Sequence, residues 1–516
     1  MSYRMSLFAA LCLLAASGAA MAARIELTDG SVILGEVTGL QAGLYTIRMG
    51  TGQTISIPAN TVKSIASTPT PAERSNPMPA AATLRPPLAT PGLLRFAGSN
   101  TIGEKLAPAL ALDYLKGKGA TGSTIAPIAE DEVAVDAKPP QPGALTRIEV
   151  RAHGSGTAFK ALAAGEAEIG MASRSIQQKE AIDLASFGNM TGVKSEHVLA
   201  LDGLAIILHP SNPVQSLTKE QVGRIFSGAV NDWAAVGGNP GPITRYARDD
   251  KSGTWDTFKA TVLGDAALAP GTKRLESSDE LSQDVAGESS AIGFIGFAYI
   301  GKARPVAISE CKLSYAPSAF AVKTEEYPLA RRLFLYTPEA HSAEVEDFLA
   351  YAGSDAAQRI VAQNGFVDLG IEPDGARTQA PRRIAALPAL GRLQIVEQFL
   401  RVTEQATRLS VTFRFRPGSA DLDNRAVFDL NRLAAFMSTP QWKQRKLLLM
   451  GFTDADGNYE GNLHLSRERA EAIRGMLAER GVTAVTAQGF GPEAPVACND
   501  GDSGKNKNRH VEVWVQ

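Results

Sequence analysis

Residues 147–157 read Arg-Ile-Glu-Val-Arg-Ala-His-Gly-Ser-Gly-Thr, a short alternating segment that runs directly into a turn of small and hydroxyl residues. The alternation predicts a β-strand, and the turn followed by apolar Phe159 and Leu162 predicts the start of a helix. The same pattern occurs at 93–101, Leu-Leu-Arg-Phe-Ala-Gly-Ser-Asn-Thr, and at 243–254, Ile-Thr-Arg-Tyr-Ala-Arg-Asp-Asp-Lys-Ser-Gly-Thr. Three strand, turn and helix units in one part of the chain predict an α/β domain.

The three turns are named the first loop (98–101), the second loop (154–157) and the third loop (251–254), and they carry groups that suit an anion. The first turn of a helix leaves backbone N–H groups unpaired and exposes the positive end of the helix dipole. Ser and Thr add hydroxyl donors, and Arg248 stands four residues before Ser252. Plain helix capping explains any one such loop, but three in one domain favour a shared anion site.

The stretch 93–370 resembles the phosphate-binding proteins of ABC uptake systems (PstS-like), a family of two-lobed periplasmic binding proteins. The motifs that carry the resemblance are Ala97-Gly-Ser-Asn-Thr, His153-Gly-Ser-Gly-Thr, Asp202-Gly-Leu-Ala-Ile-Ile-Leu-His-Pro, Gln221-Val-Gly-Arg-Ile-Phe-Ser-Gly and Arg248-Asp-Asp-Lys-Ser-Gly-Thr. The resemblance implies one oxyanion clamped between two α/β lobes that close about a hinge.

Position by position, the resemblance assigns phosphate contacts to all three loops and to one arginine. The residues are Ser99, Asn100, Thr101, Ser155, Gly156, Arg248, Ser252, Gly253 and Thr254. Arg248 is expected to hold two ligand oxygens in its guanidinium fork, and Asp250 is expected to orient that guanidinium.

One position departs from the best-known members of the family and leaves the ligand open. Arg174 stands where those members have an aspartate that accepts the proton of hydrogen phosphate, although other members also have Arg there. Without that carboxylate the pocket suits phosphate, sulfate or another tetrahedral oxyanion. Asp202 and Asp249 are alternatives for the acceptor, and Arg174 is expected to support the site.

The C-terminal part of the chain, 405–516, alternates strand and helix patterns. Residues 409–415 read as a strand, apolar positions at helical spacing follow from Val427 to Met437, and His510-Val-Glu-Val-Trp-Val forms a last alternating strand. These patterns predict an α+β sandwich.

This part resembles the OmpA-like C-terminal domain, a peptidoglycan-binding module. The motifs are Gly451-Phe-Thr-Asp454, Asn462-Leu-His-Leu-Ser-Arg-Glu-Arg469, Gly489-Phe-Gly and Asn508-Arg509-His. The resemblance implies that Asp454 and Arg469 bind diaminopimelate, because its ammonium group needs an anion and its carboxylate a bidentate cation. The positions expected to support this pair are Thr453, Asn462, Leu465 and Arg509.

The remaining segments are interpreted from their patterns and composition. A short apolar run ending in Ala20-Met-Ala22 predicts a secretory signal peptide over 1–22. Alternating segments with Asp-Gly and Gly-x-Gly turns over 23–66 predict a small all-β barrel of SH3-like or Sm-like type. The proline-rich stretch 67–92 and the interrupted stretch 371–404, which includes a partial helix, are predicted linkers.

The composition excludes several classes of function. The net charge of −2 leaves no basic excess for binding nucleic acid. Cys12 lies in the predicted signal peptide, and the placement of Cys311 and Cys498 in different predicted domains argues against a bond, although the sequence does not decide whether they pair. The sequence has no Gly-x-Ser-x-Gly or His-Glu-x-x-His motif, so we expect no catalysis, metal or cofactor.

These patterns predict a periplasmic protein that is held noncovalently to peptidoglycan and presents an oxyanion-binding domain, with a possible link to the outer membrane. An inner-membrane ABC transporter is the further partner that the resemblance suggests. The alternative is an envelope-organising protein whose binding domain has lost or changed its ligand, and Arg174 is the residue that favours it.

Overall fold

The computed structural model of the protein describes most of the chain in two compact units, divided between positions 83 and 84. The described residues are 23–27, 32–41, 44–49, 54–58, 62–67, 90–250, 252–311, 313–374, 393–416 and 421–516. The predicted signal peptide and most of the predicted linker 67–92 lie outside these ranges. Among the described residues, no helix is both long and apolar enough to cross a bilayer.

The first unit is a five-stranded antiparallel sheet, as the alternating patterns predict. Its strands are β1 (Ala23–Leu27), β2 (Val32–Gln41), β3 (Leu44–Met49), β4 (Thr54–Pro58) and β5 (Val62–Ser67). Ile25 and Ile47 are fully buried and form the small hydrophobic core of this sheet. The order β4-β3-β2-β1-β5 places β4 and β5 at opposite edges, so the predicted closed barrel is not confirmed by the strand pairs of the described residues.

The second unit contains the C-terminal domain, which is described below, and a larger part built on an eleven-stranded mixed sheet and a three-stranded one. Their strands are β6 (Leu93–Gly98), β7 (Thr121–Ala129), β8 (Glu132–Lys138), β9 (Arg147–Arg151), β10 (Ile169–Ala172), β11 (Glu196–Leu208), β12 (Ser216–Thr218), β13 (Thr244–Arg248), β14 (Lys273–Leu275), β15 (Ala291–Gly296), β16 (Arg304–Pro305), β17 (Ala307–Glu310), β18 (Leu313–Tyr315) and β19 (Ala330–Tyr336). The large sheet runs β14-β13-β15-β11-β19-β10-β6-β9-β8-β7, with β16 on β11, and the small sheet runs β12-β17-β18.

Among the described residues, ten α-helices accompany these sheets. They are α1 (Asn100–Gly103), α2 (Leu106–Gly117), α3 (Ser155–Ala164), α4 (Gln178–Asp183), α5 (Lys219–Phe226), α6 (Gly253–Phe258), α7 (Ser278–Gly287), α8 (Ala319–Lys323), α9 (Ala343–Ala352) and α10 (Asp355–Gln363). Strands β6, β9 and β13 lead through the first, second and third loops into α1, α3 and α6. The predicted strand, turn and helix pattern is therefore confirmed at all three places.

One long strand connects the two parts of the large sheet. We name the part with β6–β10 the first lobe and the part with β13–β15 the second lobe. Residues 196–203 of β11 pair with β19, and residues 204–208 pair with β15. Because β11 and β19 lie between the lobes, a movement of one lobe against the other must bend these two strands.

The C-terminal domain is a sheet of order β20-β21-β24-β22-β23 with helices packed on it, which confirms the predicted α+β sandwich. Its elements are β20 (Pro373–Asp374), α11 (Leu393–Gln405), β21 (Thr407–Arg414), α12 (Asn424–Ser438), β22 (Leu447–Gly451), α13 (Tyr459–Ala478), β23 (Val485–Gly489), α14 (Asp502–Asn508) and β24 (His510–Val515). Pro373 pairs with Leu409, so the stretch predicted as a second linker contributes a strand to this sheet.

A disulfide joins the second lobe to the C-terminal domain. Cys311 and Cys498 are bonded, with their Cα atoms 5.5 Å apart. The sequence left this pairing open, and the argument against it from domain placement is wrong. It assumed independent domains, whereas both domains pack into one compact unit.

We expect the Phe258→Ala variant to lose about 3 to 5 kcal/mol of unfolding free energy, the range for emptying a buried phenylalanine site. The Phe258 ring is fully buried and stacks on the Phe294 ring with centroids 3.9 Å apart. The Phe428→Ala control removes a ring that is 38% exposed, and it should change stability by about 0.5 kcal/mol or less. Urea unfolding followed by tryptophan fluorescence measures both, and equal midpoints for the two variants would contradict this packing.

Candidate functional site

The three loops meet between the lobes. Thr101 Oγ1 of the first loop lies 3.5 Å from Thr254 Oγ1 of the third loop. Gly154 N of the second loop donates to Gly98 O of the first at 2.8 Å. Residues that are distant in the sequence therefore line one small region.

A glycine makes the closest approach of these loops possible. A Cβ added to Gly253 would lie 2.1 Å from Ser173 Oγ and 2.9 Å from Ser155 Oγ, closer than real Cβ atoms come. The backbone at the start of α6 thus lies directly against the hydroxyl of Ser173, which follows β10, and that of Ser155 at the start of α3. Gly154, just before α3, has a φ of +97°, a conformation that favours glycine.

The hydroxyls of the site are arranged as donors. Ser155 Oγ accepts from Ser173 N at 3.0 Å, and Ser252 Oγ accepts from Thr254 N at 3.2 Å. Thr254 Oγ1 accepts from Arg331 Nη2 at 2.9 Å. Each oxygen already accepts a bond and so can donate its proton, but the Ser173 and Thr101 hydroxyls lie 3.2 and 3.5 Å from Ser155 Oγ and Thr254 Oγ1 and compete for two of these protons.

Three buried polar atoms close to these loops have no hydrogen-bond partner among the described residues. They are Ser99 Oγ, Asn100 Oδ1 and Tyr299 Oη. Burial raises the pKa of the Tyr299 phenol, so this group is a neutral donor near pH 7. Buried polar atoms are nearly always hydrogen-bonded in native proteins, so these three fit a polar ligand.

Arg248 supplies a buried cation, with a side chain only 2% exposed. Its Nε donates to Leu275 O at 3.3 Å, its Nη1 donates to Ser278 Oγ, and its Nη2 lies 3.9 Å from Glu104 Oε1. Burial lowers the pKa of Arg248, and the Glu104 carboxylate opposes that effect.

Asp250 does not orient Arg248 as we expected from the sequence. Its carboxylate is 84% exposed and pairs with Arg274 Nη2 at 2.8 Å. Arg248 points instead toward Ser278 and Glu104. The two side chains diverge because Arg248 ends a buried strand while Asp250 lies in the exposed turn after it.

Arg331 is a second buried cation of the site that the sequence reasoning missed. Its Nη2 lies 2.6 Å from Asp202 Oδ2, and its Nη1 donates to Gly253 O at 3.1 Å. Asp202 is fully buried, and its Oδ1 accepts from Phe297 N at 3.0 Å. Both carboxylate oxygens of Asp202 are therefore already engaged by protein donors.

Arg174 lies at the second loop, and its charge is balanced. Its two terminal nitrogens contact both carboxylate oxygens of Glu180, at 2.8 and 2.7 Å. A Cβ on Gly156 would lie 3.9 Å from Arg174 Nη2. The hydrogen bond to Glu180 raises the pKa of Arg174 despite its burial.

A second cluster of polar side chains lies on the C-terminal domain. Arg509 forms an ion pair with Asp454, which follows β22, and Arg469 of α13 interacts electrostatically with both. Burial and the neighbouring Arg509 lower the pKa of Arg469, and Asp454 opposes them. Arg469 Nε, Arg469 Nη1 and Thr453 Oγ1 are buried and have no hydrogen-bond partner among the described residues.

The other two predicted supporting residues differ in their roles. Asn462 Nδ2 donates to Asp456 O at 2.8 Å and so holds the turn that follows Asp454. Leu465 is 39% exposed on α13 and is free to contact an apolar part of a ligand. The structure thus brings one carboxylate and two guanidinium groups together beside an exposed leucine.

Comparisons with known proteins found matches for both parts of the second unit. Residues 107–356 match the PBP superfamily domain, and residues 414–509 match the OmpA family. The "Phosphate-binding protein PstS" of Bacillus subtilis is 30% identical over 221 residues, which cover 43% of this chain and 70% of that protein. The "Protein SphX" of Synechococcus elongatus is 30% identical over 272 residues, which cover 50% of this chain and 78% of that protein.

Among solved structures, an ABC-type phosphate transport receptor from Vibrio cholerae is 23% identical with a TM-score of 0.43, covering 53% of this chain and 99% of that one. The identity and coverage of the Bacillus and Synechococcus relatives establish the family of the first part, and the OmpA match establishes that of the second. The chain therefore belongs to the PstS-like family of the PBP superfamily and carries a C-terminal domain of the OmpA family.

Proposed function

We propose that the protein is a periplasmic phosphate receptor attached to the cell wall: the cleft between the lobes binds hydrogen phosphate, and the C-terminal domain binds peptidoglycan. The observation that carries the first part is the meeting of three donor-bearing loops beside buried Arg248. The relatives named phosphate-binding proteins support the same ligand. An inner-membrane ABC transporter would receive the phosphate, and no catalytic step is involved.

The ligand oxygens would be held by one cation and many neutral donors. Arg248 Nη2 lies 3.9 Å from Glu104, so it has room for a closer acceptor. Ser99, Ser155, Ser252 and Thr254 offer hydroxyl protons, and the backbone N–H groups at the helix starts add further donors. Four phosphate oxygens suit such a crowded set because each can accept more than one hydrogen bond.

Asn100 would provide the acceptor for the proton of hydrogen phosphate. Its Nδ2 donates to Ala152 O at 2.5 Å, which fixes the amide so that the partnerless atom is Oδ1, an acceptor. Sulfate has no proton to offer this oxygen at neutral pH. A neutral amide repels sulfate less than a carboxylate does, so discrimination here would be modest.

The C-terminal cluster would bind a zwitterionic amino acid such as diaminopimelate. Asp454 faces the ammonium group, and the buried, partnerless nitrogens of Arg469 face the carboxylate. Arg509 already pairs with Asp454, so it holds that carboxylate in place. Attachment at this site would hold the receptor at the wall without a covalent bond.

The alternative, an envelope-organising protein without a ligand, has less support. It depended on Arg174, and the Glu180 carboxylate balances the charge of that side chain. Because Arg174 is paired with Glu180, its side chain does not occupy the place of an oxyanion and adds no excess positive charge to the site.

We expect Arg248→Gln to weaken phosphate binding about 100-fold, because the variant loses a charged hydrogen-bond donor in a buried site. Isothermal titration calorimetry of the full chain measures the Kd. Arg147→Gln is the matched control, since Arg147 is partly exposed on β9 and should leave the Kd unchanged. A parallel titration of the wild type with sulfate should give a weaker Kd. Equal phosphate affinity for Arg248→Gln and wild type would refute the assigned site.

Gly253→Ala tests whether the approach of the third loop to the second is needed for binding. The added methyl group would collide with Ser173 Oγ and with Ser155 Oγ of the second loop and push the loops apart, so phosphate affinity should fall about tenfold or more. Gly287→Ala adds a methyl group at the end of α7, where no atom lies within 4 Å, and should bind as the wild type does. Unchanged affinity of Gly253→Ala in the same titration would count against the cleft.

Asp454→Asn and Arg469→Gln should each abolish most co-sedimentation of the purified protein with peptidoglycan sacculi, because each leaves one charge of the zwitterion unmatched. Glu471→Gln and Arg474→Gln are matched controls, since these residues pair with each other on the exposed side of α13. Retention of sacculus binding by both site variants would contradict the assignment.

A further inference from the structure

The C-terminal domain contacts both lobes of the phosphate-binding part, not one. On the first-lobe side, Asn424 Nδ2 donates to Thr191 O and to Glu196 Oε1, each at 2.9 Å. Asp423 Oδ2 forms an ion pair with Arg332 Nη2 at 2.7 Å. Thr191, Glu196 and Arg332 lie near the first-lobe end of β11 or on β19.

On the second-lobe side, the contacts are covalent as well as polar. Cys498 is bonded to Cys311, and Tyr315 Oη donates to Val496 O at 3.1 Å. Lys507 Nζ donates to Tyr327 O at 3.0 Å. Tyr327 belongs to the buried core of the second lobe together with Phe294.

A buried charge cluster lies between these two sets of contacts. Glu325 contacts three guanidinium groups, those of Arg332 on β19, Arg414 on β21 and Arg425 on α12. Burial alone would raise the pKa of Glu325, but the arginines hold it well below its ordinary value. The carboxylate therefore stays ionised and ties both domains together at the strands that join the lobes.

Strand β19 connects this interface to the phosphate site. Arg331 contacts Asp202 and Thr254 at the cleft, while the next residue, Arg332, contacts Glu325 and Asp423. Successive side chains of a strand point to opposite faces. A shift of β19 would therefore disturb both sets of contacts.

We propose that the C-terminal domain is a brace across the hinge: its docking surface (423–425, 496–498 and 507) fits the two lobes of the same chain in the arrangement in which the three loops meet. Opening the cleft would move Glu196 and Tyr327 apart and would require release of contacts on one lobe. Docking therefore favours the closed cleft, and phosphate that closes the cleft favours docking by the same factor. The part of this inference that concerns phosphate rests on the proposed function.

Two full-chain variants test the brace from its two ends. Asn424→Ala removes hydrogen bonds to the first lobe and keeps Asp423, which caps α12. Cys311→Ser/Cys498→Ser removes the covalent bond to the second lobe. Arg474→Gln is the control, because Arg474 lies on α13 in an exposed pair away from the interface.

Two measurements are made on each protein. The first is amide hydrogen exchange of α1 and α6, without phosphate. The second is the dissociation rate of phosphate. In both interface variants we expect exchange at α1 and α6 to be at least threefold faster and phosphate to dissociate about tenfold faster, with the control unchanged.

The outcomes separate this inference from the proposed function. If the wild type binds no phosphate, the proposed function fails, and hydrogen exchange alone decides the brace. If exchange at α1 and α6 is the same in both interface variants as in wild type, the brace is refuted even where phosphate binds. A change in exchange in the control as large as that in the variants would refute it as well.

Discussion

Asp202 and Arg331 form a buried ion pair on the two strands that join the lobes, with Oδ2 and Nη2 2.6 Å apart. Such a pair is tolerated in a protein interior only when its other polar atoms are also satisfied. Phe297 N, Gly253 O and Thr254 Oγ1 satisfy them. Two of these three atoms belong to the third loop, so the pair fixes that loop against β11 and β19. The geometry of the proposed oxyanion site therefore depends on charges that lie outside the three loops.

The loops were predictable from the sequence because each is a local pattern: a strand, a turn of small residues and a helix start follow one another within about a dozen residues. Arg331 was not predictable in this way, since it lies 129 residues from its partner Asp202 and within a strand, not in a turn of small residues. The assignment of Asp250 to Arg248 failed for a related reason. Two residues that are close in the sequence do not necessarily direct their side chains toward each other at the end of a strand. Arg274 lies close enough to form an ion pair with Asp250 instead.

The fold shows the same division between local and distant information. Alternation predicted the strands of 23–66, but barrel closure depends on which edges pair, and β4 and β5 lie at opposite edges. Composition marked 371–404 as a break with a partial helix, and a helix does form at Leu393–Gln405, but Pro373–Asp374 adds a strand to the C-terminal sheet that the composition did not predict. The disulfide depends on the docking of two domains, for which no single segment carries a pattern. Predictions that require only neighbours along the chain were confirmed more often than those that require a partner far away.

The charges around the cleft are balanced before any ligand enters. Arg331 pairs with Asp202, Arg174 pairs with Glu180, and Glu104 lies beside Arg248. A site without excess positive charge cannot select an anion by net charge alone. Selection must then come from the direction of hydroxyl and N–H donors and from the partnerless buried acceptor on Asn100. Donor directions depend on how closely the loops approach one another, so the affinity of the proposed site for an oxyanion depends on how far the lobes close. A domain that contacts both lobes therefore changes that affinity through the lobe arrangement it favours.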